Sequence, residues 1–174
     1  MASTSSQKMV RLTSSDGESF EVREEAIGAA SVMIKGVLDE GCATDDGIPL
    51  PNVTGPILGR VLEYVNKHFD EPDPFKKDGD DSVASPPTNM SDTSPLKRFD
   101  REFINVGDDS VLFDLILAAN YLNIQSLLDL ACQAVVEEIK GKTPEEMRTR
   151  FNIVNDYPKE EEEEVRRENA WAFE

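Results

Sequence analysis

The chain has 174 residues, 39% of them hydrophobic, which is enough for one domain or two small ones with a real core. Its 18 basic residues face 35 acidic ones, for a net charge of −17. Such a surplus repels phosphate backbones and anionic lipid, so neither nucleic acid nor a membrane is an expected partner; it suits a basic partner surface, or plain solubility.

Near the start, KMVRLTSSDGESFEV holds two alternating runs around Ser15-Asp16-Gly17. Asp-Gly between β-prone runs predicts a hairpin, with Val10, Leu12, Phe20 and Val22 on one face. From Glu25 to Asp39 the spacing of Ile27, Val32, Ile34, Val37 and Leu38 predicts one helix, weakened by Gly28 and Gly36. IPLP reads as a short extended piece. Thr54 is the expected cap of a second helix, with Pro56 in its first turn and Ile57, Leu58, Val61, Leu62 and Val65 on its apolar face.

The stretch DEPDPFKKDGDDSVASPPTNMSDTSPLK is rich in Asp, Pro and Ser and poor in apolar residues. It reads as a disordered insert, because it buries too little surface to offset the entropy of ordering. Ser85-Pro86 and Ser94-Pro95 have the form of proline-directed phosphorylation sites, although such pairs are common in disordered segments and a plain linker is the favoured reading.

From Leu96 onward the sequence reads as helical. Asp108 or Asp109 caps a segment carrying Val111, Leu112, Leu115, Ile116, Ala119 and Leu122. In the next helix, Ile124 to Lys140, one stripe is Leu128, Cys132, Val135 and Ile139, and a second is Leu127, Ala131 and Ala134. A stripe that wide predicts burial on more than one side, with Cys132 as a small core residue. Gly141 ends the helix. Thr143-Pro144-Glu145-Glu146 is a capping box that starts a short helix running to about Phe151.

The final stretch is KEEEEEVRRENAWAFE. Glutamates at a helix start meet the positive end of its dipole, and Glu162–Arg166 and Glu163–Arg167 have favourable i, i+4 order. Trp171, the sole tryptophan, and Phe173 follow a helix with little apolar surface of its own. Another chain is expected to cover them.

The residues offer no catalytic site. His68 is the sole histidine, and its one nucleophile partner would be Cys132, which the helical pattern buries. Cys42, Cys132 and His68 include no close ligand pair for zinc, two cysteines make no disulfide framework, and no glycine-rich phosphate loop occurs. The opening MASTSSQKMV has no apolar signal segment, and VLFDLILAA is too short to span a bilayer. A soluble intracellular binding protein is expected, with no catalytic, metal or cofactor-binding residues, no cofactor and no small-molecule substrate.

The blocks SSDGESFEV, GIPLPNV, LFDLILAANYLNIQSLLDLACQAVVEEIKGKTPEEMRTRFNIVNDY and EEEEEVRRENAWAFE together resemble the Skp family, the adaptors of SCF ubiquitin ligases. The resemblance covers nearly all of the chain except the insert, and the FE ending is similar to plant members. It implies a mainly α-helical α/β fold: a BTB/POZ domain with short N-terminal strands, then helices that clasp the F-box motif of a substrate receptor. Residues 1–69 and 96–140 would form the BTB/POZ domain, 70–95 the linker and 141–174 the clasp. The resemblance further implies an adaptor without chemistry of its own, resident in nucleus and cytoplasm, that bridges a cullin to F-box proteins. Asn120 and Tyr121 match the cullin-contacting pair. Phe113, Leu128, Cys132, Val135, Ile139, Phe151, Ile153, Trp171 and Phe173 match the F-box side. Gly28, Gly36, Gly55, Pro56 and Gly59, with Phe99 where a tryptophan is common and Pro158 where a threonine would cap the last helix, depart from the pattern. They motivate an alternative: a diverged paralogue that binds F-box proteins outside a cullin complex.

Overall fold

The computed structural model describes residues 8–41, 47–71, 94–105 and 107–172. Most of the acidic insert, including Ser85-Pro86, lies outside the described residues, as do Cys42 and Phe173. The chain divides into two units, Met1–Glu137 and Glu138–Glu174.

The first unit begins with a hairpin of β1 (Met9–Ser14) and β2 (Ser19–Arg23). Val10 lies opposite Val22 and Leu12 opposite Phe20, so one face is apolar, as the alternation predicts. Gly17 turns the chain at φ +83°, a conformation that suits glycine. β3 (Ile48–Leu50) adds in parallel on the other side of β1, giving a three-stranded sheet in the order β2-β1-β3.

The expected single helix over 25–39 is two helices, α1 (Glu24–Ala30) and α2 (Val32–Asp39). The break falls at Ser31, which is extended (φ −110°, ψ 112°), and not at either glycine. Ser31 is fully buried; its hydroxyl accepts from the Ile34 N–H and donates to the Leu122 carbonyl. A buried side-chain bond of this kind competes with the helical ladder.

α3 (Gly55–Asp70) buries the expected Ile57, Leu58, Val61, Leu62 and Val65, together with Tyr64. Thr54 occupies the N-cap position but makes no side-chain cap. The hairpin turn supplies the acceptor instead: both carboxylate oxygens of Asp16 accept from the Gly55 N–H, at 2.9 and 3.1 Å. α4 (Pro95–Ile104) starts one residue earlier than expected, with Ser94 accepting from the Lys97 N–H. It docks on α3 through His68 Nε2, 2.7 Å from Asp100, and through the neighbouring rings of Tyr64, Phe99 and Phe103. Burial pushes the Tyr64 phenol up to about 12.

α5 (Asp109–Tyr121), capped by Asp108, sends Leu115, Ala118 and Ala119 into the core. α6 (Gln125–Ile139) follows after a short turn in which Asn123 has φ +52°. Gly141, at φ +76°, ends α6 as expected. The second unit then holds α7 (Pro144–Arg150) and α8 (Lys159–Glu168), with a single 3-10 turn at Ala170–Ala172.

Asp16 generates a pH prediction. Its carboxyl is held below its usual 3.8, first by the Ser14 hydroxyl and further by the Gly55 N–H, against the opposing effect of burial. A depressed folded value means that its stabilisation is complete above the unfolded value and is lost as the pH falls through the folded one. Asp16→Asn should therefore lower the urea midpoint at neutral pH. The gap from wild type should close as the pH is taken below 3.8. A gap independent of pH would show that the charge is not what caps α3.

Candidate interaction surfaces

The described expected site residues fall on α5, on α6 and in the second unit. On α5, Phe113 and Asn120 are exposed, and Tyr121 is half-buried with its ring packed against the core cluster. Phe113, Leu117 and Asn120 are spaced i, i+4, i+7, so they share one face of α5. Leu117 is 64% exposed and belongs to this face. The sequence hid it inside the LILAA run, where a leucine reads as core. Val32, 65% exposed, lies next to the same end of α5, because its N–H donates to the Asn123 carbonyl at 3.3 Å.

On α6 the two stripes separate. Leu127 and Ala131 are fully buried, and Leu128 is half-buried against the core. Val135 and Ile139 are half-buried, while Val136 and Cys132 are exposed. The reading of Cys132 as a core residue is thus corrected. The fully buried row of α6 runs through Leu127 and Ala131; Cys132 stands one residue farther round the helix, on the row with Leu128 and Val135, of which Leu128 packs against the core. The width of the apolar stripe reports how much surface wants cover, not which chain supplies it.

In the second unit, the capping box forms as predicted: Glu146 N–H donates to Thr143 Oγ1 at 3.3 Å, and the Thr143 N–H donates to Glu146 Oε2 at 2.8 Å. These contacts hold the Glu146 carboxyl below its usual range. Phe151 is half-buried at the end of α7, and beyond it Ile153, Val154 and Tyr157 are exposed. α8 buries no side chain and has no side-chain cap at Pro158. Its arginines make contacts that the local reading missed. Arg166 donates to Glu145 of α7 at 2.6 Å, Glu162 accepts from Arg148 of α7 at 3.2 Å, and Arg167 sits 3.7 Å from Glu164 rather than pairing with Glu163. Trp171 is 78% exposed.

Among the described residues, no hydroxyl or thiol nucleophile is hydrogen-bonded to His68. Its ring lies 4.0 Å from that of Tyr64, and its Nε2 is taken by Asp100. Among the described residues, no group of three His, Cys, Asp or Glu is placed to hold a metal ion, and no helix is long and apolar enough to cross a membrane. What the elements do offer is apolar surface: Phe113 and Leu117 on α5, Val136 on α6, and Ile153, Val154, Tyr157, Val165 and Trp171 beyond it. Such residues fit docking to other proteins.

Comparison with known proteins places the chain beside one family. Residues 8–70 match the tetramerisation domain of the Skp1 family, and residues 125–172 match its dimerisation domain. The chain is 54% identical to SKP1-like protein 4 of Arabidopsis thaliana over 168 residues, covering 97% of this chain and 98% of the relative. It is 53% identical to SKP1-like protein 1 of Oryza sativa subsp. japonica over 176 residues, covering all of both. SKP1-like protein 1A of Arabidopsis thaliana is 52% identical over 169 residues, covering 97% of this chain and 99% of the relative.

The exposure of Cys132 and Trp171 is directly measurable. In a Cys42→Ser background, Cys132 should react with an aromatic disulfide reagent in the folded protein as fast as a small-molecule thiol. Trp171 should emit as a solvated indole, open to a soluble quencher. A thiol that reacts only on unfolding, or a shielded indole, would mean that the free chain covers these surfaces itself.

Proposed function

The chain belongs to the Skp1 family, and on that premise we propose that it is the non-catalytic adaptor of an SCF ubiquitin ligase, bridging a cullin to F-box substrate receptors. The observation that carries the reading is uncovered apolar side chains: Val136 on α6 and, in the second unit, Ile153, Val154, Tyr157, Val165 and Trp171 are all exposed. A clasp for a partner helix needs such side chains, and an enzyme or a self-contained domain does not.

The F-box is proposed to meet the α6 row of Leu128, Cys132, Val135 and Ile139, together with Phe151, Ile153, Trp171 and Phe173. Phe113 was grouped with that side, yet it shares an α5 face with Leu117 and Asn120. Asn120 and Tyr121 are proposed to meet the cullin. The alternative, F-box binding outside a cullin complex, rests on the glycine departures and the intact tail; Gly28 and Gly36 sit inside formed helices, α1 and α2, which lends it little support.

Reconstitution from purified components tests the reading. The chain, an F-box fragment and an N-terminal cullin fragment should co-elute as one complex. F-box binding without cullin binding would select the alternative, and binding of neither would end both. Asn120→Lys should abolish cullin binding and spare F-box binding, since a buried unpaired charge is costly. Asn120 is the cleaner position for this test, because Tyr121 also packs on the core and its loss would destabilise the domain. Trp171→Ala should cost about 2 kcal/mol or more in F-box affinity, in the range of interface hot spots. It should change the stability of the free chain by less than about 0.5 kcal/mol, as an exposed substitution does. Equal loss of both partners in either variant would mean that the residue is structural.

A further inference from the structure

We propose that α8 is a strap fastened by charge: the crossed ion pairs Glu145–Arg166 and Arg148–Glu162 set its direction and register on α7 and hold it there in the free chain, to be released by salt or by a partner.

The argument starts from what α8 lacks. Its sequence, KEEEEEVRRE, has one large apolar side chain, Val165, and that is exposed. No residue of the helix is buried, and Pro158 gives it no side-chain cap. A helix of 10 residues is too short to be stable by itself in water. Glutamates in its first turn and arginines in its last complement the dipole, but that effect is small and equally available to a detached helix.

The contacts with α7 have a definite pattern. α7 presents Glu145 and Arg148 three residues apart; α8 presents Glu162 and Arg166 four residues apart. Each spacing puts both charges on one helix face. Both helices therefore read acidic then basic along the chain. In antiparallel order the signs complement: Glu145 meets Arg166 at 2.6 Å and Arg148 meets Glu162 at 3.2 Å. In parallel order glutamate would face glutamate and arginine would face arginine. The charges thus select one direction, as charged flanks select partners in coiled coils.

Between the two helices lies an open cleft of about 650 Å³, lined by these four side chains with Thr149, Asn152, Ile153 and Asn155. Polar groups and open space stand where packed helices carry an apolar seam. Charges that are half-exposed are screened by salt, with a Debye length of about 10 Å at 0.1 M and about 3 Å at 1 M. A strap of this kind holds at low ionic strength and loosens as salt rises. Its regulatory role rests on the adaptor reading: α8 gives up these pairs as an F-box helix settles against the clasp.

The test uses the full chain and four proteins: wild type, Glu145→Arg, Arg166→Glu, and the double swap. Amide hydrogen exchange is followed in α8, with the amides of β1 and α3 as a control for folding. At low salt each single variant should exchange several-fold faster in α8 than wild type, and the double swap should restore protection. Salt of about 1 M should bring wild type to the level of the single variants. Failure of the swap to restore protection, or wild-type protection that persists at high salt, would overturn the strap. An F-box fragment should associate several-fold faster with the single variants than with wild type at low salt. Equal rates, with the exchange differences intact, would overturn the gating role. If no variant binds the fragment, the adaptor reading fails, and the exchange data still decide the strap.

Discussion

The buried hydroxyl of Ser31 is the constraint on which the first unit depends. Its donation to the Leu122 carbonyl joins two places 91 residues apart in the chain. At one end it breaks the chain between α1 and α2 and caps α2; at the other it fixes the turn that closes α5. The Val32 N–H to Asn123 carbonyl bond runs alongside it. Because Asn120 and Tyr121 sit in the last turn of α5, their position is set by a contact made in the middle of the N-terminal helices. A serine buried with both its donor and its acceptor used costs little, whereas one left with an idle hydroxyl would cost about 1–3 kcal/mol. The site that is proposed to meet the cullin is therefore held by the core, not by a loop.

The two units solve the problem of cohesion differently. The first stacks α1, α3 and α5 with a small sheet around Leu12, Ile27, Leu58, Leu115 and Leu122, all at or near complete burial. In the second, neither α7 nor α8 buries a residue, and the visible ties are a capping box and ion pairs. Hydrophobic burial is strong and insensitive to salt; exposed ion pairs are weak and screened. One chain thus carries a firmly packed first unit and a loosely tied second one, and the difference follows from composition, since KEEEEEVRRE has little to bury.

What the sequence made legible was local. The Asp-Gly hairpin, the capping box at Thr143, the stop at Gly141 and the apolar face of α3 each rest on residues close in the chain, and each forms. What stayed hidden was decided at a distance. The helical spacing runs straight through Ser31, and nothing near it announces Leu122. Thr54 had the right chemistry to cap α3, but Asp16, 39 residues earlier, takes the Gly55 N–H. Local i, i+4 spacing offers Arg166 only Glu162, and Glu145 of the preceding helix accepts from it. Cys132 went astray for a related reason: periodicity finds an apolar row without saying which rows the rest of the chain covers. Its misplacement and the exposure of Trp171 are one observation, that apolar residues in this sequence outnumber the places the fold has for them.

That surplus bears on how a partner would be gripped. Ordering a free segment costs roughly 1–2 kcal/mol per residue in backbone entropy, a heavy charge against any interface that must also fold its own clasp. A clasp already capped at Thr143, with α8 kept alongside by ion pairs that a partner can release, has met part of that cost before the partner arrives. An apolar seam between α7 and α8 would preorganise more firmly, but it would also consume the surface the partner needs. Ion pairs align the helix and leave Val154, Val165 and Trp171 open. A strongly acidic tail with almost nothing to bury is, on this argument, what a clasp requires: shape enough to dock, and apolar side chains still unspent.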